Sequence, residues 1–217
     1  MNSHIKGVIY DMDGLIINSE PLWKNAEIES FKEIGFDFTA EMCALTTGMR
    51  IDEVVNFWWK KLKWHNYSQK EVVNSIEQKM IHLIKSKGNL LPGVLNSLKI
   101  LNEVQIPIAL ASSSSMSLIN VTVDTLNIRK YFKIIHSAEN EIAGKPNPAV
   151  FLSTAKMMKL NPYNCLVLED SKAGMMAGIN ANMRTIVIPE RNSNPKWAKQ
   201  SYKILKSLNE FQLNLLN

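Results

Sequence analysis

Long hydrophobic runs are missing from this chain: no apolar stretch approaches the length that crosses a membrane. The opening MNSHIKGVIYDMDG likewise carries no signal-peptide core, so a cytoplasmic protein without a membrane partner is expected. Cysteine is almost absent. Cys43 and Cys165 stand far apart with no His or Cys at ligand spacing, which argues for reduced structural thiols and against a zinc site. His65, His82 and His136 show no metal-like spacing either. There is no internal repeat and no low-complexity segment, and Ser112 to Ser115 is too short to be a linker. In a chain expected to stay inside the cell, the N-x-S/T matches at Asn66 and Asn120 carry no meaning.

The 217 residues suffice for one good-sized domain, or for a domain carrying a smaller inserted one. A 46% hydrophobic and 21% charged composition is that of a globular protein with a packed core. Lys and Arg exceed Asp and Glu by 25 − 20 = +5, which fits an anionic ligand, phosphoester or nucleic acid, without choosing between them.

Short continuous apolar runs, of the kind buried in a parallel sheet, occur at Gly7 to Tyr10, Ile106 to Ala111, Ile134-Ile135, Leu166 to Leu168 and Thr185 to Ile188. Helical patterns lie between them at Val94 to Glu103, Met116 to Leu126, Ala149 to Met158 and Ala173 to Asn182. The alternation predicts an α/β fold, a Rossmann-like parallel-sheet core. One region breaks the rhythm. From about Leu22 to Lys87 the pattern is helical throughout: Val54/Val55, Trp58 and Leu62 form one face, and Val72, Val73, Ile76, Met80 and Leu83 another. The expected organisation is a core of residues 1–16 and 90–217, with a small all-helical domain, 17–89, inserted after the first strand. Ser19 or Asn18 is expected to cap its first helix, with Pro21 in the first turn. The stretch from Asn56 to His65 mixes aromatic and basic residues, which raises nucleic-acid stacking as an alternative. Its periodicity favours a core helix with lysines on the outer face. Met157-Met158 and Met175-Met176 are expected in the core.

In an open parallel sheet, ligands bind beyond the carboxyl ends of the strands. The polar clusters fall there: Asp11-Met12-Asp13-Gly14, Ser112 to Ser115, and Glu169-Asp170-Ser171, joined by the loop Gly144-Lys145-Pro146-Asn147-Pro148. Asp11, Asp13, Glu169 and Asp170 would crowd four carboxylates together, a hard oxygen set that suits Mg²⁺. The serines precede a helix N-terminus, an anion site, and Lys145 adds a point charge. Together these make a site for a phosphoryl group, its metal and a carboxylate nucleophile. Other motifs fail on particular residues. A calcium loop needs Gly and Glu where Ile16 and Leu22 stand, and a P-loop needs Ser or Thr where Pro146 stands. Glycosidase carboxylates flank a sugar from opposite sides rather than following one strand. Taken singly, each cluster is also explained by a turn, a helix cap or a helix-start acid. Such readings leave the shared location unexplained.

Those four segments, in that order, resemble the motifs of the haloacid dehalogenase superfamily, and the helical insert resembles its small cap of the β-phosphoglucomutase type. Within that family NSEPLW, TTGMRIDEVVNFWW, LLPGV and LEDS are similar to the bacterial phosphatases of hexitol phosphates and 2-deoxyglucose-6-phosphate. The resemblance implies Asp11 as nucleophile forming an aspartyl-phosphate, and Asp13 as general acid and then base. It implies Mg²⁺ held by the Asp11 carboxylate, the Asp13 backbone carbonyl and the Asp170 carboxylate, with Glu169 supporting from beside them. Ser112, the Ser113 backbone and Lys145 would grip phosphoryl oxygens. Glu20 and Trp23 would face the site from the hinge. Thr47-Gly48-Met49-Arg50 resembles a specificity loop, with Arg50 available to substrate. The implied enzyme is a phosphatase of small sugar or sugar-alcohol phosphates, and a monomer suits a cap that opens and closes.

Departures matter. Asn18 stands where relatives usually carry Asp, Leu15 where many carry Thr, and Trp23 where β-phosphoglucomutases carry His. The last tilts the expectation from mutase to phosphatase. A hexose phosphomutase remains the alternative, and a basic nucleic-acid-binding protein on the same scaffold the more distant one.

Overall fold

The structure, a computed structural model, describes residues 5–190, 193 and 195–217. Strands β1 (Gly7–Tyr10), β2 (Ile108–Ser112), β3 (Ile134–Ser137), β4 (Cys165–Glu169), β5 (Arg184–Val187) and β6 (Lys203–Ile204) form one parallel sheet, ordered β3-β2-β1-β4-β5-β6. Its helices are α1 (Glu20–Glu33), α2 (Ala40–Ala44), α3 (Ile51–Leu62), α4 (Gln69–Lys87), α5 (Val94–Glu103), α6 (Met116–Thr125), α7 (Ala149–Met157) and α8 (Lys172–Asn180).

Both faces of the sheet are covered, which is why its central strands read as unbroken apolar runs. Val8, Tyr10, Ile108, Leu110, Leu166 and Leu168 pack on one side with Leu98 and Leu101 of α5 and Ile119 and Val123 of α6. The alternate residues Ile9, Ala109, Ala111 and Val167 meet Val150, Phe151 and Ala155 of α7 and Ala177 of α8 on the other. β2 starts at Ile108 rather than Ile106, because Pro107 has no N–H to donate; its carbonyl accepts from Val8 N at 3.0 Å. The two-residue β6 has exposed residues and no apolar run, so nothing in the sequence pattern announces it.

Helices α1 to α4 fill residues 20–87 without a strand. The chain leaves the sheet layer and returns to it side by side: Ile17 bridges Leu90, and Leu91 N donates to Ile16 O at 2.9 Å. The insert has an aromatic centre. Phe31 stacks on Phe38 at 4.1 Å, with Trp58 edge-on to Phe38 and Trp64 edge-on to Phe31. Val54, Val55 and Trp58 are buried while Lys60, Lys61 and Lys63 are exposed, which makes the aromatic-basic stretch a core helix. α4 also packs against α6, joining insert to sheet layer. No helix among the described residues is long and apolar enough to cross a membrane.

Two local expectations are corrected. Ser19 stands at the N-cap of α1 but makes no side-chain cap, and its hydroxyl is buried without a partner. Met157 is 47% exposed, because it falls on the outer side of α7 while Met158 turns inward.

Candidate active site

β1 lies between β2 and β4, where the strand order reverses direction, the position at which such sheets open a crevice at their carboxyl ends. Tyr10 pairs in register with Leu110 and Leu168, so Asp11, Ala111 and Glu169 emerge at one level. Asp11 N extends the pairing with a 3.0 Å bond to Leu168 O. From the loop before α7, Lys145 reaches between them. Its Nζ contacts Asp11 Oδ1, donates to Glu169 Oε1 at 2.7 Å, and lies 4.9 Å from the centre of the Phe151 ring. All three charged groups are buried.

Glu169 is fully engaged. Its Oε2 accepts from Asp170 N at 2.9 Å and from Ser171 N and Ser171 Oγ, each at 3.0 Å. Two glycines, one in the loop after β1 and one in α8, make room for these carboxylates. A Cβ on Gly174 would fall 1.7 Å from Glu169 Oε1, and one on Gly14, whose φ is +74°, 2.0 Å from Asp170 Oδ2.

Carboxylate oxygens of Asp11, Glu169 and Asp170 lie within 4.8 Å of one another. Burial pushes Asp11 up to about 8 against the pull of Lys145, with Glu169 adding to the rise. Burial and the same two carboxylates hold Asp170 well above the ordinary range. Burial works against the Lys145 ammonium, but Asp11 and Glu169 outweigh it and its pKa is raised. Three acids around one base leave the cluster short of positive charge. With Glu169 engaged, Asp11 and Asp170 are the carboxylates with lone pairs to offer. The set is all oxygen, without nitrogen or sulfur, and it fits Mg²⁺.

Asp13 stands apart from that cluster. Its Oδ1 accepts from Trp23 Nε1 at 2.9 Å, and its Oδ2 from Ser114 Oγ at 2.7 Å and Ser112 Oγ at 3.5 Å. The two aspartates flanking Met12 therefore occupy different surroundings, one against the ammonium and the other against neutral donors. The serine run is divided in labour as well. Ser112 Oγ accepts from Ser114 N at 3.0 Å, Ser115 caps α6 through Leu118 N, and the buried Ser113 hydroxyl has no partner. Ser113 and Lys145 line the same chamber, ahead of the start of α6.

The insert roofs this floor. Glu20, Trp23, Lys24 and Glu27 of α1, spaced i, i+3, i+4 and i+7, line the chamber together with Thr46 to Met49. Burial holds the Glu20 carboxyl above its ordinary value. Arg50 does not line it. Its Nη1 donates to Ala138 O at 3.1 Å and Glu141 O at 2.9 Å, and its other nitrogens pair with Asp52. Glu53 accepts from Gly144 N at 3.1 Å. The start of α3 is thus bonded to the loop that carries Lys145, and Arg50 is placed away from the substrate space expected for it.

Of the other candidates, Asp11, Asp13, Ser112, Ser113, Lys145, Glu169, Asp170, Glu20 and Trp23 all face one chamber. Sequence reasoning placed Ser114 and Ser171 in the polar clusters without giving either a role, and it passed over Gly174 and Glu27. The helical spacing of Glu27 from Glu20 and Trp23 was a usable signal, and so was a glycine inside a helix four residues after Asp170.

A haloacid dehalogenase-like hydrolase family model matches residues 8–188, and the chain belongs to that family. It is 36% identical over 209 residues to hexitol phosphatase B of Escherichia coli K12, covering 95% of this chain and 94% of that one. It is 27% identical over 189 residues to a phosphorylated carbohydrates phosphatase of Thermotoga maritima, 84% of each chain. Among solved structures it resembles β-phosphoglucomutase from Clostridium difficile, with TM-score 0.85, 25% identity, and 98% and 95% coverage of the two chains.

Proposed function

We propose that this chain is a Mg²⁺-dependent phosphatase of small sugar or sugar-alcohol phosphates, working through an aspartyl-phosphate on Asp11. The observation that carries it is the charge-deficient cluster of Asp11, Lys145, Glu169 and Asp170 at the sheet switch point, under a polar roof. Similarity to hexitol phosphatase B and to a carbohydrate-phosphate phosphatase supports the substrate class.

Lys145 and the Ser113 hydroxyl bind phosphoryl oxygens and orient the ester toward Asp11. An Asp11 oxygen attacks phosphorus as the ester P–O bond breaks, and Asp13 gives its proton to the departing alkoxide. Asp13, now a carboxylate, takes a proton from a water that attacks the same phosphorus. Cleavage of the Asp11–phosphorus bond then frees phosphate. Trp23 and Ser114 hold Asp13 at its post throughout. Mg²⁺, held by Asp11, Asp170 and the Asp13 backbone carbonyl, would supply the missing positive charge and neutralise the phosphoryl oxygens.

The test is phosphate release from a panel of hexose, pentose and hexitol phosphates and nucleotides. Release is expected for sugar or polyol phosphates, abolished by EDTA and by Asp11→Asn. Isomerised sugar phosphate without net phosphate would turn the assignment to a mutase. Salt-sensitive DNA or RNA binding with no turnover of any ester would abandon the enzyme reading.

A further inference from the structure

We propose that Glu27 reads the far end of the substrate: its carboxyl receives a hydroxyl of an uncharged, polyhydroxylated chain, several carbons from the phosphate. The proposal rests on the phosphatase reading above and names the substrate feature that selects among phosphomonoesters.

Glu27 is only 7% exposed, yet it lines the chamber. Its Oε2 is buried and has no hydrogen-bond partner. An acceptor left bare in that way is unfavourable, and a ligand hydroxyl would remove that cost. The Cys43 thiol lies beside the carboxyl, and burial pushes that thiol up to about 12, so it stays protonated. Burial lifts Glu27 itself to about 7, so near neutrality the carboxyl can either accept from a hydroxyl or donate to one.

Position supplies the distance. Trp23 is bonded to Asp13, at the point where the ester would be cleaved. Glu27 follows Trp23 by four residues on the same face of α1, about 6 Å further along the axis. A group at Glu27 is therefore well removed from the phosphorus. Charge supplies the discrimination. Lys24 is the one cation that α1 brings to the chamber, against Glu20 and Glu27. A second phosphate or a carboxylate at the far end would meet these acids, whereas a hydroxyl would satisfy the bare oxygen. The structure thus points to monophosphates of sugars or polyols over bisphosphates and phospho-acids.

The experiment compares kcat/KM for a hexitol monophosphate with that for p-nitrophenyl phosphate, which carries no hydroxyl. The proteins are wild type, Glu27→Ala and Glu27→Gln. The ratio of the two values is expected to fall at least ten-fold in Glu27→Ala, chiefly through KM, and less in Glu27→Gln. A hexitol phosphate deoxygenated at its far carbon should lose a similar factor with wild type and nothing further with Glu27→Ala. The wild-type arm needs no variant to fold. An unchanged ratio, or equal losses on both esters, overturns the role of Glu27 alone. Release of phosphate from neither ester by wild type overturns the phosphatase reading and the proposal with it.

Discussion

Trp23 donates its indole N–H to Asp13 Oδ1 at 2.9 Å, so the first turns of the helical insert are bonded directly to the second aspartate of the site. A residue of the roof therefore orients a group of the floor. Trp23→Phe keeps an aromatic ring, though a smaller one, and deletes the donor, leaving Asp13 to Ser114 and Ser112. A hydrogen bond contributes about 0.5–1.5 kcal/mol, so kcat should fall up to roughly ten-fold at saturating substrate. An unchanged kcat would mean that the serines hold Asp13 alone.

Arg50 fastens α3 to the backbone at Ala138 and Glu141, across 88 and 91 positions of sequence. Removing it in Arg50→Ala should loosen the roof without touching the reacting groups. The expected signature is a KM raised roughly ten-fold with a much smaller change in kcat, from the loss of two charge-assisted bonds. A fall in kcat with KM unmoved would return Arg50 to the chemistry.

Gly174 is in a helix, where alanine would ordinarily add up to about 1 kcal/mol of stability. Here its Cβ would fall 1.7 Å from Glu169 Oε1, inside a buried carboxylate that holds Lys145. Overpacking wins: Gly174→Ala should cost about 1–3 kcal/mol by urea unfolding and lower activity as well. A variant as stable as wild type would show that the turn at Ser171 can shift.

Asp170→Asn separates repulsion from metal binding. Without Mg²⁺ the substitution removes one acid from a cluster with too many, so the variant should melt at or above the wild-type temperature. With millimolar Mg²⁺ the wild type should gain stability through binding and the variant should gain little. Equal gains would remove Asp170 from the metal site.

Glu27 also makes stability depend on pH. Its folded-state value, about 7, lies above the unfolded 4.5, so the folded chain keeps the proton longer. The contribution is fully present below 4.5 and is lost as pH rises through 7. Glu27→Gln should therefore be more stable than wild type at pH 8 relative to pH 5, by up to about 3 kcal/mol in urea midpoints converted to free energy. A constant difference between the two proteins would mean that Glu27 is charged in the fold.

Local physics made much of the fold legible. The run Gly7 to Tyr10 and the pattern Val94 to Glu103 coincide with β1 and α5, because continuous burial and a 3.6-residue period leave direct marks on residue order. The unbroken run of helices α1 to α4 was visible as a change of period. β6 was not, since two exposed residues at a sheet edge carry no such mark. Ser19 occupies a capping position, yet backbone angles of φ −94° and ψ −18° keep its hydroxyl from the helix, and no residue pattern reveals that.

By itself, then, the sequence determined the layered parallel sheet and the delivery of acids, serines and one lysine to a single edge. Strand ends and loop positions follow from hydrophobic patterning along the chain. Tertiary structure alone decided which acid faces the ammonium and which faces an indole. It also decided that Arg50 bonds to a loop instead of facing the chamber, and that Glu27, on the chamber wall, keeps a buried oxygen without a partner. Those outcomes depend on contacts between groups separated by as many as 134 positions, as in the pair Asp11 and Lys145, and on burial that raises or lowers a charge. The pair that opens the sequence motif, Asp11 and Asp13, is divided by that burial: one aspartate lies against Lys145 in a crowded acid cluster, and the other is held by Trp23 and Ser114.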